Sequence, residues 1–320
     1  MVSGFRGAFA IALAAMGCGG APPPPTDVLL SKAPEGGPGA SATATPPPAL
    51  PGPSAVELVR QLGGAHLWAT VEVAAFRNHP LTARLEPVLP FAGSLSKAGI
   101  DTLHEIDRIL LSDRSLTRHR NATAIYEHHI DSARIDAFLT LAVAESDPRG
   151  KRTQIADHAC ALLFRHGLIG TACVVSPTLM LIAVEPNPAL LDALARSSGI
   201  PHAPPGEAMH ATFLSASDTL ELGSFRPPAG LGTVEVAMKL SPAGGLSIAA
   251  IAPSDDPTRD TATLQTMLTT QGAGLRVGPI PLPPPPIHIE AIGQNVVASL
   301  PVSQDDLDIA MALIELTVPL

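Results

Sequence analysis

Hydrophobic and polar positions along the chain repeat one local pattern, in which a strand-like run is followed by an amphipathic helix. Each run alternates or is continuously apolar, ends at a polar residue suited to capping a helix, and leads into apolar residues with helical spacing. The units comprise residues 124–131 with 132–144, 179–187 with 188–197, 246–252 with 257–270, and 295–303 with 304–316. Hairpin-like strand pairs precede several of these helices. The pattern predicts an α+β fold, with antiparallel sheets that carry helices packed on one face.

The folded part is predicted to begin at residue 54 and to divide once. Ser54 and Glu57 match a capping box, which opens a helix. The sequence Ala-Pro-Pro-Gly at residues 203–206 is the clearest internal break, because proline and glycine interrupt both helices and strands. We therefore expect an α+β domain or subdomain over residues 54–202 and a second α+β subdomain over residues 207–320.

Residues 1–17 have the layout of an export signal. Arg6 supplies a positive start, and residues 8–15 form an apolar run too short to span a bilayer. The sequence that follows, Ala15-Met16-Gly17-Cys18, resembles the lipobox of bacterial lipoproteins. That resemblance implies cleavage before Cys18 and acyl chains on its thiol and its new amino group. The alternative is an ordinary secretory signal peptide in which Cys18 is incidental.

Residues 18–53 are predicted to form a disordered tether. Eleven of the 35 residues from 19 to 53 are proline, and most of the others are small or polar. Such a segment buries too little apolar surface to offset its ordering entropy. Extended, it would reach on the order of 100 Å, at about 3 Å per residue. A spacer that holds the folded part away from a membrane is favoured over a proline-rich ligand for a partner domain.

Three segments of the first half resemble a recurrent pattern of uncharacterised exported bacterial proteins and lipoproteins. They are ATVEVAAFRNHPL at residues 69–81, GIDTLHEIDRILL at 99–111 and IDSARIDAF at 130–138. These segments combine strands, a helix cap and a helix face. No activity is known for such proteins, so the resemblance implies a type of fold and a location in the cell envelope.

Composition and charge exclude one broad class of partner. The chain has 20 basic and 29 acidic residues, a net charge of −9 with histidine neutral, and its arginines are dispersed. Nucleic-acid-binding proteins carry a concentrated basic patch, which this chain lacks. Aromatic residues make up 3% of the chain against 46% for all hydrophobic residues, so an aliphatic core is expected. We therefore expect no nucleic-acid partner.

Two of the three cysteines are placed to form a disulfide. In CALLFRHGLIGTAC, a hairpin that turns at residues 166–167 pairs Cys160 with Cys173. The two cysteines would then form a non-hydrogen-bonded pair with Cα atoms about 4.5 Å apart, within reach of a disulfide. The alternative is two small buried thiols. A disulfide would leave Cys18 as the one cysteine available for lipid.

The histidine-rich segment RHRNATAIYEHHID does not match a metal site. It contains His119, His128, His129 and Asp131, but neighbouring residues of a strand point to opposite faces of a sheet. His128 and His129 therefore cannot both bind one zinc ion without a bulge, and zinc needs three or four convergent ligands. Neither a metal nor another cofactor is expected.

The sequence therefore favours a non-catalytic, lipid-anchored domain in the bacterial cell envelope. Its role would be interaction with an envelope protein, envelope structure or the binding of a small ligand. The membrane attached by Cys18 would be the outer or the inner one, with the domain facing the periplasm or the exterior. The alternative is an envelope hydrolase whose site forms only in three dimensions, with His104, Glu105, His128 and Asp131 as its first candidates.

Overall fold

The computed structural model describes residues 52–82, 92–114, 122–146, 149–165, 168–214, 228, 230–272, 276–277, 280–281 and 287–308. The helices in this part of the chain are α1 Ala55–Gln61, α2 Val73–Phe76, α3 Ala92–Lys97, α4 Thr102–Glu105, α5 Ser132–Ala144, α6 Pro188–Leu194 and α7 Pro257–Gly272. Residues 304–308 are also helical.

The strands of the first half are β1 Leu67–Glu72, β2 Ile106–Asp113, β3 Thr123–His128, β4 Lys151–Ile155, β5 His158–Arg165, β6 Leu168–Ser176 and β7 Leu179–Ala183. Those of the second half are β8 Met209–Phe213, β9 Val234–Leu240, β10 Leu246–Pro253, β11 Arg276–Val277, β12 Ile280–Pro281, β13 His288–Ile292 and β14 Asn295–Val302. The α+β class is therefore confirmed, with fewer helices than strands.

Twelve of these strands form one sheet, in the order β13-β14-β10-β9-β8-β1-β2-β3-β7-β6-β5-β4. All the strand pairs are antiparallel. The short strands β11 and β12 form a separate pair.

The sheet runs through the predicted boundary at residues 203–206. Strand β1 of the first half pairs with β2 on one side, where Leu67 faces Asp113. On its other side β1 pairs with β8 of the second half, where Leu67 faces Phe213. The two predicted parts therefore share one sheet, joined along β1 and β8.

We name the two faces of the sheet by the helices that cover them. The front face carries α5 over the first half, where Ile135, Phe138 and Leu139 pack against strand residues such as Ile109 and Tyr126. In the second half the same face packs partly against α7, whose contacting residues are half-buried. The back face is the opposite one.

The back face is covered in the first half only, by α1 and α6. Leu58 of α1 and Leu191 of α6 pack against Leu110, Ile125 and Leu181 of the strands. The helices therefore lie on both faces of the sheet, whereas the sequence predicted helices on one face only. The physical reason is visible in β7, where all five residues are buried and both faces need an apolar cover.

Helix caps lie where the sequence predicts them. Ser54 accepts a hydrogen bond from the backbone N–H of Glu57 at the start of α1. Asp131 accepts one from Arg134 at the start of α5, and Asn187 accepts one from Ala189 before Pro188 opens α6. These bonds satisfy N–H groups that an isolated helix leaves unpaired.

Candidate functional site

The disulfide predicted between Cys160 and Cys173 is present. The two residues face each other across β5 and β6, with Cα atoms 4.1 Å apart, and both are completely buried. They lie on the back face, in the same apolar cluster as Leu190 and Leu194 of α6. The bridge therefore fastens two neighbouring strands inside the core, where solvent does not reach the sulfur atoms.

Two of the predicted hydrolase candidates, Glu105 and Asp131, are held by one arginine. Arg134 donates to both carboxylate oxygens of Glu105, at 2.9 and 2.5 Å, and through Nε to Asp131, at 2.5 Å. The Arg134 guanidinium holds the pKa of each carboxyl below its usual value. The bonds to Glu105 attach the end of α4 to the first turn of α5, whereas the bond to Asp131 lies within that first turn, beside the helix cap.

His104 lies at the surface beside the residue that caps its own helix. Its Nδ1 is 3.0 Å from Oδ2 of Asp101, and the His104 side chain is largely exposed. The other carboxylate oxygen of Asp101 accepts hydrogen bonds from the N–H groups of Leu103 and His104. The contact between histidine and aspartate is thus part of a helix cap.

His128 is buried in the front-face core, apart from the exposed His129. Its Nδ1 accepts a hydrogen bond from the N–H of Ile130, whereas its Nε2 has no hydrogen-bond partner among the described residues. Burial lowers the pKa of His128 from 6.5 to about 4. Tyr126, two residues earlier on the same face, also has a buried hydroxyl without a partner in this part of the chain, and burial raises its pKa. His128 is therefore neutral near pH 7.

A half-buried charged network lies on the back face of the first half, and it is not predicted from the sequence. Arg108 of β2 donates two hydrogen bonds to Glu127 of β3, at 3.1 and 2.6 Å. Oε2 of Glu127 also accepts from the N–H of Ile200, at 3.1 Å. The neighbouring strands β2 and β3 thus present an ion pair to the segment that follows α6.

Glu72 of β1 completes this network. Its Oε1 accepts from the N–H of Ala203 at 2.8 Å and lies 3.1 Å from Nδ1 of His202. The ring of His202 also contacts the Arg108 guanidinium. Glu72, Arg108, Glu127 and His202 therefore hold the segment between α6 and β8 against three strands. Their hydrogen bonds are made to one another and to backbone N–H groups, which is an arrangement that fastens chain segments.

The part of the chain that the structure describes contains neither a metal cluster nor a membrane-spanning helix. Within the described ranges, no group of three histidine, cysteine, aspartate or glutamate side chains could hold a metal ion. No helix in those ranges is both long enough and apolar enough to cross a membrane. His119 and Cys18 lie outside the described residues.

Breaking the disulfide should lower the free energy of unfolding. We expect the double variant Cys160→Ala/Cys173→Ala to lose about 3 kcal/mol, the value for a closed loop of about this length. Urea unfolding of the variant and of the oxidised wild type measures the difference. The reduced wild type serves as a control, since it should unfold close to the variant. Equal midpoints for oxidised and reduced protein would contradict the prediction.

His128 should make the protein sensitive to acid. Because the folded state holds the pKa of His128 near 4 and the unfolded state near 6.5, the unfolded state binds more protons between these values. Stability from this residue is therefore complete above pH 6.5 and is lost as the pH falls towards 4, by about 3 kcal/mol.

Urea unfolding at pH 7 and pH 4.5 measures this loss. The variant His128→Met should lose less stability than the wild type over that interval, because methionine fills the site without taking up a proton. His104→Met is the matched control at an exposed histidine and should follow the wild type. If His128→Met kept the full pH dependence, another group would be responsible.

Comparisons with known proteins identify no family for this chain. No protein-family model matches it, and no curated protein matches its sequence. Among solved structures, it is similar to the one described as "Structure of crystal form I of TP0453", with 10% sequence identity and a TM-score of 0.49. The similarity covers 78% of this chain and 94% of that one. A likeness of this size supports no conclusion about function.

Proposed function

We propose that this protein is a lipid-anchored component of a bacterial cell envelope whose folded part binds a partner protein or a small ligand without catalysis. The observation that carries the proposal is the buried disulfide between Cys160 and Cys173. Disulfides of this kind form and persist in oxidising compartments such as the periplasm and are rare in the cytosol. The disulfide therefore supports an extracytoplasmic location.

The number of cysteines supports the lipid anchor. The chain has three cysteines, and the disulfide uses two of them, which leaves Cys18. Cys18 directly follows an apolar run and lies at the position where the lipobox-like sequence predicts acylation. More than one acyl chain is needed for stable membrane attachment, and a lipobox cysteine carries them on both its thiol and its amino group.

The position of the tether fits this arrangement. Pro53 lies beside the end of α6, where the N–H of Ser198 donates to its carbonyl at 3.2 Å. Residues 18–53 would then join the acylated cysteine to a folded part that can stand away from the membrane. This separation would leave the surface of the folded part accessible to a partner in the envelope.

The arrangement of the candidate residues favours binding over hydrolysis. Glu105 and Asp131 both bind Arg134, and His128 is buried away from solvent. A general acid or base must reach the proton that it transfers. Glu105 joins two helices, Asp131 caps one, and His128 lies in the core, which are the structural roles that we assign to them.

Replacing Cys18 should abolish lipid attachment. In bacteria that express the full-length chain and are fed labelled palmitate, we expect the wild type to be labelled and to sediment with membranes. Cys18→Ala should be unlabelled, because it lacks the thiol that accepts the acyl chain. The variant Cys160→Ala/Cys173→Ala is the matched control and should keep the label. Labelling of Cys18→Ala at the level of the wild type, or an unlabelled wild type released from the cells, would contradict the anchor.

A further inference from the structure

The back face of the second half is an open sheet surface. It is formed by β8, β9, β10, β14 and β13, and within the described residues no helix packs on it. Along β10 the side chains alternate, so that Leu246, Ile248 and Ala252 are buried against the front-face core. Ser247 and Ile251, between them, point to the back and are exposed. We call this surface the open face.

Three rows of side chains cross the open face at right angles to the strands. The middle row has the small residues Ala237, Ala249 and Ser299 at its centre, placed side by side by the strand register, and His210 and His288 at its two ends. One flanking row is Lys239, Ser247 and Pro301, and the other is Thr212, Glu235, Ile251, Val297 and Glu290. The open face is therefore low at its centre, and its lysine and its two glutamates lie on opposite sides of the middle row.

The open face also carries apolar side chains in contact with solvent. Only three large hydrophobic residues are exposed in the described chain: Leu62, Ile251 and Ile292. Ile251 is 42% exposed and Ile292 is 44% exposed, and their strands are joined through β14. Ile251 of β10 and Ile292 of β13 thus both lie on the open face. Exposed apolar groups collected on one surface are typical of an interaction site.

The dimensions of the open face suit a small dimer interface. The five strands have five to eight residues each. At about 3.3 Å per residue and 4.8 Å between strands, they give an area of roughly 500 Å² per copy. Two such faces would bury about 1,000 Å² together, about the least that a specific protein interface needs. Sheets also pack on sheets readily, at a separation of about 10 Å.

We propose that the open face binds the open face of a second copy of this chain. The two copies would be related by a two-fold axis that lies between the two faces and runs along the middle row. The row of Lys239 in each copy would then lie over the row of Glu235 in the other. Lys239 would then lie over the partner's Glu235, and Glu235 over the partner's Lys239. Both side chains are exposed, and neither forms an ion pair within the described chain.

The charges and the small residues favour a second copy over an unrelated partner. The face is complementary to itself, because its one lysine lies on one side of the middle row and its two glutamates, Glu235 and Glu290, lie on the other. The chain carries a net charge of −9, so two copies repel each other unless opposite charges meet. Alanine and serine at the centre of the axis allow the two layers to approach closely, and His210 and His288 face their equivalents at its two ends. Since a two-fold contact uses the same patch on both subunits, assembly ends at the dimer.

Sedimentation equilibrium tests this proposal. The protein is the full-length chain with Cys18→Ser, so that acyl chains cannot bring copies together. We expect twice the chain mass of 32.9 kDa. Lys239→Glu should weaken the dimer at least tenfold, because it puts two carboxylates opposite each other at both ends of the contact. The double variant Lys239→Glu/Glu235→Lys restores opposite charges and should restore the dimer.

The control is Leu62→Glu, which changes the third exposed hydrophobic residue, outside the open face, and should leave the dimer intact. Circular dichroism confirms that each variant is folded. A wild type that is monomeric at all concentrations overturns the proposal. So does a dimer that Lys239→Glu leaves unchanged, since another surface would then hold the copies together.

A cysteine on the axis gives an independent measurement. In the Cys18→Ser chain, Ala249→Cys adds the one free thiol, because Cys160 and Cys173 are bridged. The two-fold axis places this thiol opposite its equivalent, so mild oxidation should give a covalent dimer. Ala262→Cys on the exposed side of α7 is the matched control and should stay monomeric on a non-reducing gel. Equal cross-linking of the two variants would contradict the geometry.

Discussion

The pairing of β1 along both of its edges is the constraint on which the rest of the structure depends. This strand comes early in the chain, yet it lies between β2 and β8, so that Ala69 faces both Leu111 and Ala211. The second of these pairs closes a loop of more than a hundred residues, and that closure costs entropy that only the completed sheet offsets. The halves on either side of β1 therefore depend on each other.

A sheet of this extent has two large faces, and helices cover them differently at the two ends of the sheet. At the β2–β7 end, successive residues of a strand are buried on opposite sides, and α5 on the front is matched by α1 and α6 on the back. The β8–β14 end has an apolar front and a mixed, partly exposed back. The network of Glu72, Arg108 and Glu127 lies at the transition, where the chain leaves α6 and enters β8.

Local features could be predicted from the sequence because short-range chemistry determines them. Asp131 caps α5 because an aspartate before an apolar helical run can reach the N–H groups of the first turn. The pairing of Cys160 with Cys173 follows from the register of a hairpin with a two-residue turn. The α+β class follows from the repeated strand and helix units.

Long-range features could not be predicted in this way. Nothing in the sequence around Glu72, Arg108 and Glu127 shows that three strands bring them together, because their register is set by pairing across the sheet. Nor does the sequence show that β7, a short apolar run, is buried on both faces. The same limit applies to the open face, whose rows exist only once β9, β10 and β14 are aligned.

Native-state hydrogen exchange at increasing urea concentrations tests most directly whether β1 makes the two halves one cooperative unit. We expect the amides of β2 and β3 in the first half and of β9 and β10 in the second to exchange with the same free energy of opening, equal to that of global unfolding. If the amides of β9 and β10 exchanged through a lower-energy opening while those of β2 and β3 stayed protected, the halves would be independent, which would contradict the central role of β1.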